Sequence, residues 1–237
     1  MQLHLSLGLL GWVGTLLMAV SWKVLPMFYL SEAVDPRHAR AALLLVGIRL
    51  GGSVLALMAR LVSLQLTLTP LAGAVVWVAH PLSTLRALSR RRRRRAHGSV
   101  WFWRAGMGFG LCAGPLAVAS LWLDSPVWPL LFGWVAIWGW AGMVIYGLLC
   151  RIVPFLVWFH RLSRLIGVVD VPPMRRILAD RWVRQALWVH LTSVVLGAGA
   201  ILSGTDLAAR VCGLGLVAVG LSLGASLVTA LRLQVPA

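Results

Sequence analysis

The chain has 237 residues, of which 60% are hydrophobic and only 12% are charged. A soluble domain is nearer half apolar and a quarter charged, so this composition excludes an ordinary soluble domain and predicts a membrane protein. The net charge of +16 would suggest nucleic-acid binding in a soluble protein. Most of these basic residues fall in loops beside apolar segments, so we expect no nucleic-acid partner and expect the lipid bilayer to be the main surrounding.

Apolar segments long enough to cross a bilayer recur along the whole chain. A transmembrane helix needs about 20 predominantly apolar residues, and seven segments qualify. They cover residues 3–30, 41–58, 61–79, 100–123, 128–159, 182–203 and 207–231. The predicted fold is therefore all-α, a polytopic bundle of about seven transmembrane helices that forms a single membrane domain over residues 1–237.

A run of arginines between the third and fourth segments fixes the predicted orientation. It consists of Arg90, Arg91, Arg92, Arg93, Arg94 and Arg95. Lys and Arg accumulate on the cytoplasmic side of membrane proteins. By alternation the N-terminus is expected outside and the C-terminus in the cytoplasm, in the inner membrane of a bacterium. The same arginines predict attraction to anionic lipid.

The other loops agree with this orientation. The predicted inner loop 160–181 contains five arginines, whereas the predicted outer loops 124–126 and 204–206 contain no Lys or Arg. The charge asymmetry therefore points the same way at both ends of the predicted bundle.

The first and fifth segments share a motif, which we call the Gly-Trp repeat. The first copy runs from Gly11-Trp12 to Lys23-Val24-Leu25-Pro26, and the second from Gly139-Trp140 to Arg151-Ile152-Val153-Pro154. From residue 11 to residue 139 the period is 128 residues, or four helices. Both segments are predicted to run from outside to inside, so the motif predicts a parallel four-helix repeat. The glycine would allow close helix approach, the basic residue would reach the headgroups, and the proline would end or kink the helix.

The repeat and the orientation resemble subunit I of the haem-copper oxidases and the related NnrS-type proteins. The stretch Gln2-Leu3-His4-Leu5 before the first copy resembles a histidine-bearing helix start, and residues 151–160 resemble the inner end of a similar helix. The resemblance implies three four-helix arcs and histidine ligands for haem or metal near outer helix ends. It also implies that the seven segments match the last seven of twelve helices, so a partner subunit or self-association is expected.

Departures from that family limit the expected chemistry. Phe132 stands where His4 would repeat, and there is no His-His pair. All six acidic residues lie in predicted loops, whereas proton pumps place carboxylates within the membrane. Oxygen reduction and redox-driven pumping are therefore not expected.

Three ionisable residues within the segments are the candidate site residues, because such residues are costly in lipid. Arg49 lies in the middle of the second segment and is expected to face the interior, where it binds helix carbonyls or an anionic group such as a haem propionate. His190 either hydrogen-bonds across helices or ligates a haem or metal. His4 is either an interfacial residue or, by the resemblance, a ligand. His4 and His190 have different predicted depths and are not expected to hold one iron.

The remaining histidines are predicted to be solvated residues in loops or at loop edges. They are His38, His80, His97 and His160.

Two functions stay open for this protein. One is a haem- or metal-binding membrane protein of the oxidase type without its catalysis. The other is a cofactor-free transport or assembly protein with a polar core at Arg49 and His190.

Overall fold

The structure is a computed structural model that describes residues 6–58, 70–92, 97–168 and 170–232. We number the helices in chain order. They are α1 Leu7–Tyr29, α2 Pro36–Met58, α3 Pro70–Ser89, α4 Ser99–Trp122, α5 Val127–Leu165, α6 Asp180–Ser203 and α7 Asp206–Leu231. Two short 3₁₀ helices, Ser163–Leu165 and Met174–Arg176, lie at the end of α5 and before α6.

The all-α membrane fold predicted from the sequence is confirmed. Within the described ranges, six of the seven numbered helices, all but α2, are long and apolar enough to cross a membrane. The predicted segment 41–58 lies within α2. Of the predicted third segment, residues 61–69 lie outside the described part of the chain, and α3 extends ten residues beyond residue 79 to Ser89. The predicted fifth segment is the 39-residue α5.

The helix ends follow from local sequence. Leu30 ends α1 in the left-handed conformation with φ 53°, and its N–H bonds the carbonyl of Pro26. Gly204 ends α6 at φ 62°, a conformation that glycine adopts without steric cost. Helix α3 ends at Ser89, where the arginine run begins. The helix therefore ends where the arginines begin, ten residues later than the sequence predicted, and its middle lies correspondingly later in the chain.

The two copies of the Gly-Trp repeat have matching backbones. In α1 a π-helical segment over Ser6–Gly14 gives way to α-helix over Thr15–Tyr29. In α5 a π-helical segment over Val135–Gly142 gives way to α-helix over Met143–Val157. From residue 14 to residue 142 the change of helix type recurs after 128 residues, which is the period of the sequence motif. A change from π-helix to α-helix also occurs within α3, after Ala79, so the support for the repeat comes from the shared spacing of 128 residues and not from the π-helix itself.

The chain divides into two compact units. The first contains residues 1–94 and 106–141, and the second contains residues 95–105 and 142–237. In the first unit α1 packs on α3, and α2 packs on the π-helical start of α1. In the second unit α6 and α7 pack along each other, and α7 also contacts the 143–157 part of α5.

Candidate functional site

Arg49 lies on the packed side of α2. Its side chain is 5% exposed, and Val46, one turn earlier, is fully buried. The opposite side of the helix is open, since Gly47 and Ile48 are exposed. Insertion of an arginine at mid-bilayer costs about 2.5–3.5 kcal/mol, and this cost accounts for the inward direction. The role of Arg49 toward an anion or a cofactor stays a prediction.

His190 lies in an aromatic cluster of the second unit. It is 1% exposed, and its ring is edge-on to Phe102 and Tyr146 at centroid distances of 6.1 and 5.8 Å. Those two rings stack on each other at 4.6 Å, and the Tyr146 hydroxyl donates to Ser222 Oγ at 3.2 Å. The two aromatic rings line the imidazole on one side. They favour a packed core histidine. The role of His190 as a haem or metal ligand stays a prediction.

His4 and the arginines Arg93, Arg94 and Arg95 lie outside the described residues. Arg49 belongs to the first unit and His190 to the second. Among the described residues, no group of three or more His, Cys, Asp or Glu side chains could hold a metal ion. A zinc-type site with three or four protein ligands is therefore not formed by the described residues.

The prediction that His80 is a solvated loop-edge residue is wrong. Because α3 continues to Ser89, His80 lies within the helix, and its side chain is 2% exposed. Its Nε2 lies 2.9 Å from Ser21 Oγ on α1. His97 is also less exposed than predicted, since its Nδ1 lies 3.8 Å from the Asp180 carboxylate and its side chain is only 14% exposed. The arginine run is the sequence feature that could have predicted the burial of His80. A 20-residue span that ends just before Arg90 has His80 at its centre.

The Ser21–His80 hydrogen bond has a defined direction. Ser21 Oγ donates its proton to the Met18 carbonyl at 2.8 Å, so it accepts from His80. A neutral imidazole has one N–H and one acceptor nitrogen. His80 Nε2 is then the donor, and Nδ1 is left as an acceptor.

Aromatic rings surround His80 in the first unit. The Trp140 ring is edge-on to His80 with centroids 6.3 Å apart. Trp77, one turn before His80, contacts Trp140 at 4.7 Å and Phe132 at 5.8 Å. The tryptophan of the second Gly-Trp motif therefore packs beside a buried histidine that the sequence analysis did not select.

A shallow cleft leads to this pair between α1 and α3. Its volume is about 10 Å³, room for about one water molecule, and it is lined by Ser21, Trp22, Leu25, Pro26, Glu32, Val34, Ser83, Thr84 and Ala87. Glu32 at the cleft also forms an ion pair with Arg90 at 3.7 Å. The cleft thus connects the arginine-rich end of α3 with the hydroxyl that binds His80.

Comparison with known proteins adds no assignment, because no family model, curated protein or solved structure matches this chain. The resemblance to the haem-copper oxidases stays a prediction.

Proposed function

We propose that this integral membrane protein is a cofactor-free transporter in which His80 relays a proton to the cytoplasmic side. The observation that carries the proposal is the double role of Ser21, which both lines the cleft and binds the imidazole of a buried histidine. Ionisable residues within membrane spans mark ion pathways and proton relays. The sign of the loop charges supports a cytoplasmic opening and an inner-membrane location.

The chemistry needs only the imidazole and the hydroxyls of the cleft. His80 would accept a proton at Nδ1, which makes the ring a cation with N–H groups on both sides. Ser21 Oγ would then accept the Nε2 proton while its own hydroxyl proton, turned from the Met18 carbonyl toward the cleft, passes to an acceptor there; Ser83, Thr84 and Glu32 line that cleft. A return to the Nε2–H tautomer completes the cycle. The imidazole thus transfers one proton for each one it accepts.

Proton flux into vesicles tests the proposal. The purified protein is reconstituted in liposomes that contain a pH-sensitive dye, and a potassium diffusion potential drives proton movement. We expect wild-type vesicles to acidify faster than protein-free vesicles, and His80→Phe to reduce the rate to that of protein-free vesicles. Ser21→Ala should reduce the rate partially, because water in the cleft can replace a hydroxyl.

His160→Phe is the matched control, since His160 is an exposed histidine at the inner end of α5. Its flux should equal that of the wild type. Wild-type vesicles that leak protons no faster than protein-free vesicles would contradict the proposal, as would undiminished flux in His80→Phe.

A second candidate is the haem- or metal-binding function that the oxidase resemblance implies. One observation favours it. A metal-ligating histidine donates its other ring N–H to a protein acceptor, and His80 has this arrangement, with Nε2 held by Ser21 and Nδ1 left as an acceptor. His80 would supply one ligand, and Ser21 would fix its tautomer.

An optical spectrum separates the two candidates. A Soret band in the purified protein that is lost in His80→Phe and kept in His190→Phe would establish haem at His80. Proton flux in protein that contains no haem and no metal by elemental analysis would establish the cofactor-free candidate.

A further inference from the structure

The C-terminal end of α5 lies level with the end of α7 in the second unit. Arg161 of α5 donates from Nη1 to the carbonyl of Leu231, the last residue of α7, at 2.6 Å. Helix α7 has 26 residues and is about 39 Å long at about 1.5 Å per residue. A bilayer with its headgroups is about 40–45 Å thick. A membrane-spanning α7 therefore ends in the headgroup layer, and the end of α5 lies there with it.

The chain turns back at this level. We call residues 164–168, at the end of α5, the interfacial turn. Within it the Val168 N–H donates to the Leu165 carbonyl at 3.0 Å, and Gly167 has φ 87°, which glycine adopts without steric cost. Further along, the Pro172 carbonyl accepts from Trp158 Nε1 at 3.1 Å. Tryptophan is enriched at the membrane–water interface, so a return to Trp158 keeps this part of the chain near the membrane surface.

Two branched apolar side chains stand on the interfacial turn. Ile166 is 61% exposed and Val168 is 78% exposed. Arg164, two residues before Ile166, is also exposed. Residues 159–179 contain four arginines and one aspartate, so the chain around the turn carries positive charge. Exposed apolar residues within a basic segment are the combination by which interfacial segments bind anionic membranes.

We propose that the interfacial turn inserts Ile166 and Val168 into the boundary between headgroups and acyl chains, while Arg164 binds the phosphate of an anionic lipid. Burial in the leaflet removes the two apolar side chains from water, which is favourable. The planar guanidinium matches the geometry of phosphate oxygens. The turn thus ties the paired ends of α5 and α7 to anionic lipid. This contact is independent of proton transport.

Collision measurements on a nitroxide label test the insertion. Full-length protein with Val168→Cys is made in a Cys112→Ser background, because the Cys112 thiol is exposed, and is then labelled and placed in lipid nanodiscs. Oxygen partitions into acyl chains and a nickel chelate stays in water, so the ratio of their collision rates reports on depth. We expect this ratio to be several-fold higher at Val168 than at Asp170→Cys, the matched control at a polar, exposed position. If Val168→Cys does not fold, Ile166→Cys takes its place.

Lipid composition tests the role of Arg164. Nanodiscs of phosphatidylcholine alone are compared with nanodiscs in which part of the lipid is phosphatidylglycerol. We expect the oxygen preference at Val168 to rise in the anionic nanodiscs, and Arg164→Gln to remove this rise. Arg210→Gln is the matched control, because Arg210 is an exposed arginine near the opposite end of α7. It should keep the rise.

Three results would overturn the lipid contact. A label at Val168 that favours the nickel chelate as strongly as the label at Asp170 would place the turn in water. A label that collides with neither reagent would place the turn under a protein, either a second copy or another subunit. An oxygen preference that does not respond to phosphatidylglycerol, or a rise that persists in Arg164→Gln, would reject the anionic headgroup.

Discussion

In the first copy of the Gly-Trp repeat Trp12 is 74% exposed, whereas in the second copy Trp140 is fully buried. The basic residues differ in the same sense, because Lys23 is exposed and Arg151 is buried. The expectation that both basic residues reach the headgroups therefore fails for Arg151. It lies on the buried side of α5 between Cys150 and Pro154, and this direction follows from the neighbouring helices.

The glycines of the two copies behave alike. A Cβ on Gly11 would lie 2.8 Å from Leu50 Cδ1, and a Cβ on Gly139 would lie 2.9 Å from Phe109 Cγ. Both glycines thus allow close approach of a neighbouring helix, as the motif predicted. The comparison teaches that the motif specifies backbone geometry and helix approach, whereas the helices around each copy decide which side chains are buried.

The largest difference between the copies is expected at the tryptophans. Trp140→Ala removes a fully buried ring that contacts Trp77 and His80 and should destabilise the protein by about 3–5 kcal/mol. Trp12→Ala removes an exposed ring and should change stability by less than about 0.5 kcal/mol. Thermal unfolding in detergent measures both. Equal effects would show that the two copies have similar surroundings.

The basic residues should show a smaller difference. Arg151→Ala removes a buried side chain whose stem packs within the fold, at a cost of about 0.5–3 kcal/mol. Lys23→Ala, at an exposed position, should fall within about 0.5 kcal/mol of the wild type. The same unfolding assay applies, and a neutral Arg151→Ala would contradict the burial.

The two glycines should show the smallest difference in the loss of stability on substitution by alanine. Gly139→Ala meets the stem of an aromatic ring and should cost about 1–3 kcal/mol through overpacking. Gly11→Ala meets the methyl end of Leu50, which can rotate away, so its cost should be smaller. Gly133→Ala is the control on α5, because its Cβ meets nothing within 4 Å. A larger loss for Gly11→Ala than for Gly139→Ala would reverse the comparison.

The predicted partner subunit or second copy of this protein is expected to bind at the exposed glycines of α2, the helix that packs on the first copy of the repeat. Gly47 and Gly51 lie four residues apart on α2, and a Cβ on either meets nothing within 4 Å. Small residues in this spacing favour close helix association in lipid. Both variants are made in a background in which Cys112 is replaced by serine. Gly51→Cys should form a disulfide-linked dimer on oxidation. Gly11→Cys should not, because Gly11 packs against Leu50 within the protein. A monomeric product from both would reject self-association through this face.

Orientation is tested independently of stability. A reporter fused after Arg92 or at the C-terminus should read cytoplasmic, and one inserted at Ser125 in the loop between α4 and α5 should read periplasmic. The opposite pattern would reject the orientation derived from the arginine run.

Hydropathy and charge were enough to predict the helices, because each apolar run must satisfy its own backbone in lipid. The inward direction of Arg49 was predictable for the same energetic reason. The position of His80 was not obtained, because the end of a span was placed at Ala79 by residue type, whereas α3 extends to the arginines. The contrast between Trp12 and Trp140 could not be predicted, since burial depends on which helices are adjacent.

The bond from Ser21 to the Met18 carbonyl has a consequence for biosynthesis. Ser21 is synthesised 59 residues before His80, and its hydroxyl proton is bound to a carbonyl of its own helix. Its oxygen keeps a lone pair for a later donor. When α3 inserts, His80 meets a partner that is already in place, so the polar contact can form as the third helix docks. The order of synthesis thus delivers the acceptor before the donor that needs it.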